Sequence, residues 1–132
     1  LEGKPIKVFN HGDMMRDFTF VEDLAEAVVR LVDAVPGDVR VGEAHSLSPV
    51  APFRIVNIGL GKPVKLTDFI KEIERVTGKR AQLNLLPMQP GDVPMTEASA
   101  VLLHALTGYV PSTPVSEGVE AFVHWYREHY AS

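Results

Sequence analysis

Residues 16–35, RDFTFVEDLAEAVVRLVDAV, combine a strand pattern with a helix pattern in one uninterrupted stretch. Residues 16–21 alternate polar and apolar side chains over part of their length, as a half-buried strand does. From Val21 onwards the apolar side chains recur at spacings of three and four, with charges on the opposite side, which predicts an amphipathic helix. The apolar face of this helix consists of Val21, Leu24, Val28, Leu31, Val32 and Val35.

Local signals predict where this helix begins and ends. Thr19 and Glu22 have the spacing of a capping box, and Pro36-Gly37 is expected to stop the helix. Residues 37–52 then carry several Gly, Ser and Pro residues and are expected to form a long loop. Loops of this length inside compact domains are usually functional or mobile.

The rest of the chain continues to mix strands and helices. Four of the six residues at 53–58 are apolar, which predicts a strand buried on both faces. A second helix is expected from near Thr67 to Gly78. The remaining predicted elements are strands at residues 6–9 and 83–86, a helix at residues 97–106 and a last helix that begins with Thr113 and Pro114.

These elements indicate a small α/β assembly with mixed short strands and about four helices. There is no complete series of βαβ units. Several strands are too short to close a sheet by themselves, so we expect them to add to a sheet that residues 1–132 do not contain.

Composition disfavours several classes of protein. The chain has 132 residues, no cysteine and a formal net charge of -4. Without cysteine there is no disulfide framework and no thiolate metal site, which is compatible with a cytoplasmic location. The negative charge disfavours nucleic acid and anionic lipid, and no apolar run has the length of a membrane span. No metal site is expected, because His124 and His129 would lie on different faces of a helix.

The sequence lacks the residues for cofactor binding and redox catalysis. A dinucleotide site needs a G-x-G-x-x-G turn before a helix, whereas Gly59-Leu60-Gly61 is followed by Lys62-Pro63. No tyrosine is followed four positions later by lysine. We therefore expect no catalytic and no cofactor-binding residue in this chain.

Three polar residues are candidates for ligand binding, each with a simpler alternative. Arg16 follows a glycine-containing turn, and a guanidinium suits a two-pronged grip on a diphosphate, although a surface arginine usually pairs with a nearby carboxylate. Asn57 interrupts an apolar run, and it needs hydrogen-bond partners if buried or ties down the next turn. Asp92 could accept ribose hydroxyls or cap its own Gly-Asp turn. The residue types alone leave these alternatives open.

Four motifs, in the same order along the chain, resemble those of extended short-chain dehydrogenases that epimerise or dehydrate nucleotide sugars. Residues 12–23, GDMMRDFTFVED, are similar to the family segment G-x-x-x-R-D-[FYW]-x-[YFH]-V-x-D. Residues 46–59, SLSPVAPFRIVNIG, and residues 88–94, MQPGDVP, resemble the bacterial UDP-glucuronate 4-epimerase branch. Residues 111–126 are similar to the closing helix of the family.

This resemblance implies roles at the nucleotide end of a UDP-sugar. The arginine that matches Arg16 grips the diphosphate in the family, and the asparagine that matches Asn57 lies near the nucleotide. The acidic residue that matches Asp92 contacts the ribose. Gln89 stands where some members carry a second phosphate-binding arginine, so it is a substrate-binding candidate. With glutamine at this position, phosphate binding is expected to be weaker or to be supplied by another group.

The resemblance also implies what accompanies this chain. Residues 1–132 are expected to be the sugar-nucleotide-binding portion of a UDP-glucuronate 4-epimerase-like enzyme, inactive alone, with NAD held by an N-terminal Rossmann domain that this chain lacks. Its expected partners are a UDP-sugar, that domain and, as an option, a second copy in a homodimer. A sister dehydratase or decarboxylase would share this layout, and a stand-alone binding module would have no catalytic domain.

The strand predicted at residues 53–58 is the element expected to depend most on that domain for its pairing. In the family, the matching strand joins the edge of the cofactor domain's sheet. Without this neighbour, the run is expected either to self-associate or to be poorly ordered, because an open apolar edge recruits other chains.

Overall fold

The computed structural model describes residues 3–37, 39–43 and 46–130, within which four α-helices and four short strands form. The strands are β1 (Ile6–Val8), β2 (Met15–Arg16), β3 (Val64–Lys65) and β4 (Leu83–Leu85). The helices are α1 (Val21–Leu31), α2 (Leu66–Thr77), α3 (Val101–Thr107) and α4 (Val115–Tyr130). The predicted α/β class with about four helices is confirmed. Across these described ranges, every helix is too short or too polar to cross a membrane.

The chain divides into two compact units, each assembled from separated segments. The first contains Leu1–Arg16, Pro63–Thr96 and Pro114–Ser132. The second contains Asp17–Lys62 and Glu97–Thr113. Each unit therefore depends on contacts between residues far apart in the sequence.

Two pairs of strands organise the first unit. β1 and β4 are parallel, with Ile6 opposite Leu83, and both lie within the predicted ranges 6–9 and 83–86. β2 and β3 are antiparallel, with Arg16 opposite Val64. The expectation that the strands are short is thus confirmed.

The helices of the first unit pack against each other through a narrow apolar contact. Ile70 of α2 and Val119 and Val123 of α4 are buried. As predicted, α2 ends at Gly78, whose φ of 71° is the left-handed conformation that glycine adopts easily. The guanidinium of Arg127 donates to the last carbonyls of α2, where a cation is favourable.

Two aromatic side chains of α4 are exposed, although they follow the same helical spacing as its buried valines. Phe122 is 57% exposed and Tyr126 is also exposed. Their rings contact other aromatic rings of α4 instead, with centroids 5.9 Å apart between Phe122 and Trp125 and 5.3 Å apart between Tyr126 and Tyr130. Helical periodicity places these residues on one face, but it does not supply a partner to cover them.

The second unit is built around α1 and α3, whose contact buries Ala27 and Leu103 completely. The predicted capping box is wrong, because the N-cap residue is Phe20 rather than Thr19 and it has no side-chain cap bond. The regular helix also ends at Leu31, several residues before the predicted stop.

The apolar stripe of α1 faces outward for most of its length. Three valines of α1 have more than half of their surface exposed, and so do two valines beyond its last residue: Val21, Val28 and Val29, then Val32 and Val35. The predicted amphipathic pattern is present, yet the buried residues of α1 are Asp23 and Ala27 rather than these valines. The stripe is therefore apolar surface that the described part of the chain leaves uncovered.

Residues 53–58 do not form the predicted buried strand. Arg54 makes one isolated antiparallel bridge with Leu47, and the hydroxyl of Ser46 donates to the Ile55 carbonyl. Phe53 and Ile55 are 51% and 66% exposed. A strand requires a neighbouring strand for its ladder, and within the described ranges none runs beside this segment. The part of the predicted loop at residues 38, 44 and 45 lies outside the described residues.

A buried carboxylate connects α1 to the end of the second unit. Asp23 is 9% exposed and accepts hydrogen bonds from the Tyr109 hydroxyl at 2.8 Å and from the Ser112 and Thr113 amides at 3.1 and 2.8 Å. Burial alone would raise the pKa of Asp23, but these hydrogen bonds outweigh it and lower the pKa below 3.8. Burial and the neighbouring Asp23 raise the pKa of Tyr109.

Replacement of Asp23 with alanine should lower the free energy of unfolding by about 2–3 kcal/mol, because three donors lose a charged acceptor. Since the folded-state pKa is depressed, the contribution of Asp23 is present above pH 3.8 and is lost as the pH falls through the folded pKa. Urea unfolding from neutral pH to about pH 2 measures both effects. The exposed Asp33 is the control for D23A, and equal losses in D23A and D33A would contradict this role.

Backbone amides of residues 53–58 should exchange with solvent quickly in the monomeric chain, since no strand ladder protects them. The amides of β4 serve as the internal reference, because they pair with β1. Hydrogen exchange at low protein concentration, with light scattering to verify the monomer, gives the comparison. Strong protection of residues 53–58 in a monomer would contradict the structure described above.

Candidate functional site

Arg16 lies on a strand that is held by backbone hydrogen bonds on both sides. On one side β2 pairs with β3, and on the other Met15 bridges to Met95. The amide of Met15 donates to the Pro94 carbonyl at 2.8 Å, and the Thr96 amide donates to the Met15 carbonyl at 3.2 Å. The backbone that carries Arg16 is therefore fixed by two segments distant in sequence.

Two of the predicted binding residues meet in space. The Nη2 atom of Arg16 lies 2.9 Å from Oδ1 of Asp92, and their side chains are 21% and 30% exposed. Partial burial makes this pair stronger than one fully in water, because the surroundings screen it less. In this structure Arg16 has a neighbouring carboxylate, as the simpler interpretation expected, and that carboxylate is the other candidate.

Gln89 belongs to the turn that presents Asp92. The Asp92 amide donates to the Gln89 carbonyl at 3.2 Å, and the side chain of Gln89 is exposed. Gly91 between them has a φ of 84°, which a type II turn requires at its third position. Three of the four predicted residues therefore belong to one local arrangement in the first unit.

Asn57 lies in the second unit and is exposed. Asn57 is therefore not a buried amide that requires hydrogen-bond partners within the protein. Its surroundings differ from the expectation because residues 53–58 are not covered on two faces.

The turn before Arg16 has a strained backbone that sequence patterns indicated only as turn-prone. Asn10 and His11 have positive φ values of 48° and 52°, which is uncommon for residues other than glycine. The Asn10 side chain donates to the Asp13 carbonyl at 2.7 Å, a local bond that stabilises such a conformation. Gly12 is required on two grounds: its φ is 85°, and an added Cβ would lie 3.0 Å from the Thr67 methyl group.

The glycines at 59 and 61 do not form a pyrophosphate cradle. Oδ2 of Asp17 accepts from the amides of Gly61 and Ala98, both at 3.0 Å. A Cβ on Gly59 would lie 2.5 Å from that of Ala98, so this glycine permits close packing. The Gly61 amide thus binds a carboxylate of the chain itself. No local pattern in the sequence predicts this role of Asp17, apart from its position beside Arg16.

An open cavity of about 260 Å³ in the first unit contains none of the predicted residues. Its lining includes Phe69 and Val115 with two acidic residues, Asp68 and Glu72. These carboxylates already pair with Lys71 and Arg75. The cavity therefore has no polar group with a geometry comparable to that of Arg16 and Asp92.

The arrangement around Arg16 is suited to binding rather than to acid–base or metal chemistry. A guanidinium can donate to phosphate oxygens, and a carboxylate can accept from hydroxyl groups. Within the residues that the structure describes, no three His, Asp or Glu side chains come together as metal ligands.

Sequence comparison gives relatives of consistent type. The model of the NAD dependent epimerase/dehydratase family matches residues 1–44. A probable UDP-glucuronate 4-epimerase of Rhizobium meliloti is 48% identical over 97% of this chain and 39% of its own length. UDP-glucuronate 4-epimerase 4 of Arabidopsis thaliana is 33% identical over 99% of this chain and 30% of its length. The chain thus spans well under half of these relatives.

Structural comparison agrees with the sequence relatives. The crystal structure of UDP-glucuronic acid 4-epimerase from Bacillus cereus, in complex with UDP-glucuronic acid and NAD, matches with a TM-score of 0.75 and 26% identity. The match covers 98% of this chain and 37% of that one. The fold is that of the C-terminal portion of extended short-chain dehydrogenases. The chain belongs to the NAD-dependent epimerase/dehydratase family.

Proposed function

We propose that this chain is the sugar-nucleotide-binding portion of an NAD-dependent nucleotide-sugar 4-epimerase that acts on UDP-glucuronate. The observation that carries the proposal is the contact at 2.9 Å between Arg16 and Asp92, which are 76 residues apart in sequence. These are the positions expected to contact the diphosphate and the ribose of one substrate. The named UDP-glucuronate 4-epimerases among the relatives support the same choice.

The four candidate residues would divide the recognition of the nucleotide. Arg16 would donate charge-assisted hydrogen bonds to the diphosphate, and Asp92 would accept from the ribose hydroxyls. The exposed amide of Gln89 would donate to the phosphates without adding charge. Asn57 is also exposed, and the resemblance to the family implies that it lies near the nucleotide.

The role of this chain in catalysis would be to hold the part of the substrate that does not react. NAD, when bound, supplies the chemistry of hydride removal and return at the sugar C4. Contacts with the nucleotide would keep the sugar oriented and close to the nicotinamide. Because the Gly59–Gly61 turn does not fit a pyrophosphate, we assign NAD to the portion of the relatives that this chain does not match.

The portion of the relatives that this chain does not match would also cover the apolar surfaces of the second unit. The valine stripe of α1 and the exposed side chains Phe53 and Ile55 have no cover from the described residues. Apolar patches of this kind mark interaction surfaces. The run at residues 53–58 would gain its backbone partners by adding to the edge of the cofactor domain's sheet.

The 132-residue chain alone should neither bind NAD nor interconvert UDP-glucuronate and UDP-galacturonate, because it would lack the cofactor site. Calorimetry with NAD and chromatographic analysis of the sugar nucleotides test both points. Saturable NAD binding by the chain alone would contradict the proposal. The protein joined to a cofactor-binding domain should do both.

In that joined protein, Arg16→Ala should weaken the binding of UDP-glucuronate by about 1–3 kcal/mol, the effect of losing a charge-assisted contact. NAD affinity should stay unchanged. Arg75→Ala is the matched control, since it removes an equal charge from the same unit, where Arg75 is 52% exposed and pairs with Glu72 on α2. A parallel loss of both affinities in R16A would indicate that Arg16 maintains the fold instead.

A further inference from the structure

The turn formed by residues 89–92 depends on its glycine for a purely conformational reason. Gly91 has a φ of 84°, and a Cβ added there would meet nothing within 4 Å. Any other residue would therefore fit in space but be strained in the backbone. Pro90 suits the second position of a type II turn, since its ring fixes φ near the value needed there.

This turn holds the carboxylate of Asp92 in one orientation. Oδ1 of Asp92 accepts from the Val93 amide at 2.8 Å and from Nη2 of Arg16 at 2.9 Å. The first bond is local and would form wherever the turn is intact. The carboxylate is consequently directed at Arg16 by the turn itself.

The guanidinium of Arg16 is held on its other side by its own strand. Nη1 donates to the Met15 carbonyl at 2.9 Å, and Nη2 lies 3.7 Å from the Met14 sulfur. Together with the bond to Asp92, these contacts involve three of the five guanidinium hydrogens and fix the plane of the group. The two hydrogens that these contacts leave, one on Nε and one on Nη1, would donate to an incoming oxyanion.

We propose that Asp92 is a positioning residue for Arg16, and that the Gly91 turn thereby sets the affinity for the diphosphate as well as for the ribose. This inference rests on the proposed function. Arginine has many rotamers, and immobilising it before the ligand arrives removes that entropy from the cost of binding.

Asp92 also has an effect that lowers the affinity for an anion, and this effect makes the proposal testable. Its negative charge repels a diphosphate and competes for Arg16, so its removal would strengthen anion binding if competition were dominant. The two hydrogen bonds at Oδ1 and the partial burial of both side chains favour positioning. The two effects therefore predict opposite changes when the charge is removed.

The experiment uses the full protein as its gene encodes it and measures UDP binding, with inorganic pyrophosphate as a competitor that has no ribose. Asp92→Asn and Gly91→Ala should each weaken the binding of both probes about tenfold. In an Arg16→Ala background, the same changes should leave pyrophosphate binding nearly unaltered, because there is no guanidinium to position.

Gly78→Ala is the matched control for Gly91→Ala. Gly78 has a similar φ of 71° and also has nothing within 4 Å of an added Cβ, but it ends α2. The two variants should lose similar thermal stability, and only G91A should lose affinity for UDP. Equal losses of affinity in G78A and G91A would contradict the proposal.

The remaining outcomes separate this inference from the proposed function. Tighter pyrophosphate binding by D92N would show that Asp92 competes for Arg16, and full additivity with R16A would show that it acts independently. Either result overturns the positioning role and leaves UDP binding in place. A wild-type protein that does not bind UDP would overturn the proposed function itself.

Discussion

The structure around the candidate site depends on backbone hydrogen bonds made by Met14 and Met15. The Met14 carbonyl accepts from the first residue of α2, Leu66, and Met15 exchanges bonds with Pro94 and Thr96. These bonds join three segments that are separated by many residues, and side chains alone would not set their register. Because Arg16 follows directly on this ladder, its position is determined by the same bonds that assemble the first unit.

Apolar surface is distributed unevenly over the described part of this chain. The described core is small, with Val8, Ala27 and Leu103 among its most buried residues, while the valines of α1 and the rings of α4 remain exposed. The chain corresponds to 39% of one relative and 30% of another. Under the proposed function, much of the burial expected from helix periodicity would come from contacts with the rest of such a protein.

The expected elements differ in how well the sequence specified them. α2 matches closely because its apolar period and its terminal glycine are local features. Residues 53–58 do not match, because a strand forms only beside a neighbouring strand. An apolar run does not indicate whether such a neighbour is present. The Asp17 and Asp23 contacts were missed for a related reason: their partners lie 44 to 90 residues away, and no local pattern connects them.

The sequence by itself determined the family, the mixed α/β class and the residue types at the candidate site, since ordered motifs and helical periods are properties of neighbouring residues. Only the tertiary structure decided that Arg16 pairs with Asp92 and that a glycine turn orients this pair. Only the tertiary structure decided which faces of α1 and α4 are buried. The physical reason is that burial and ion pairing depend on what lies across space from a side chain, which is set by chain segments remote from it.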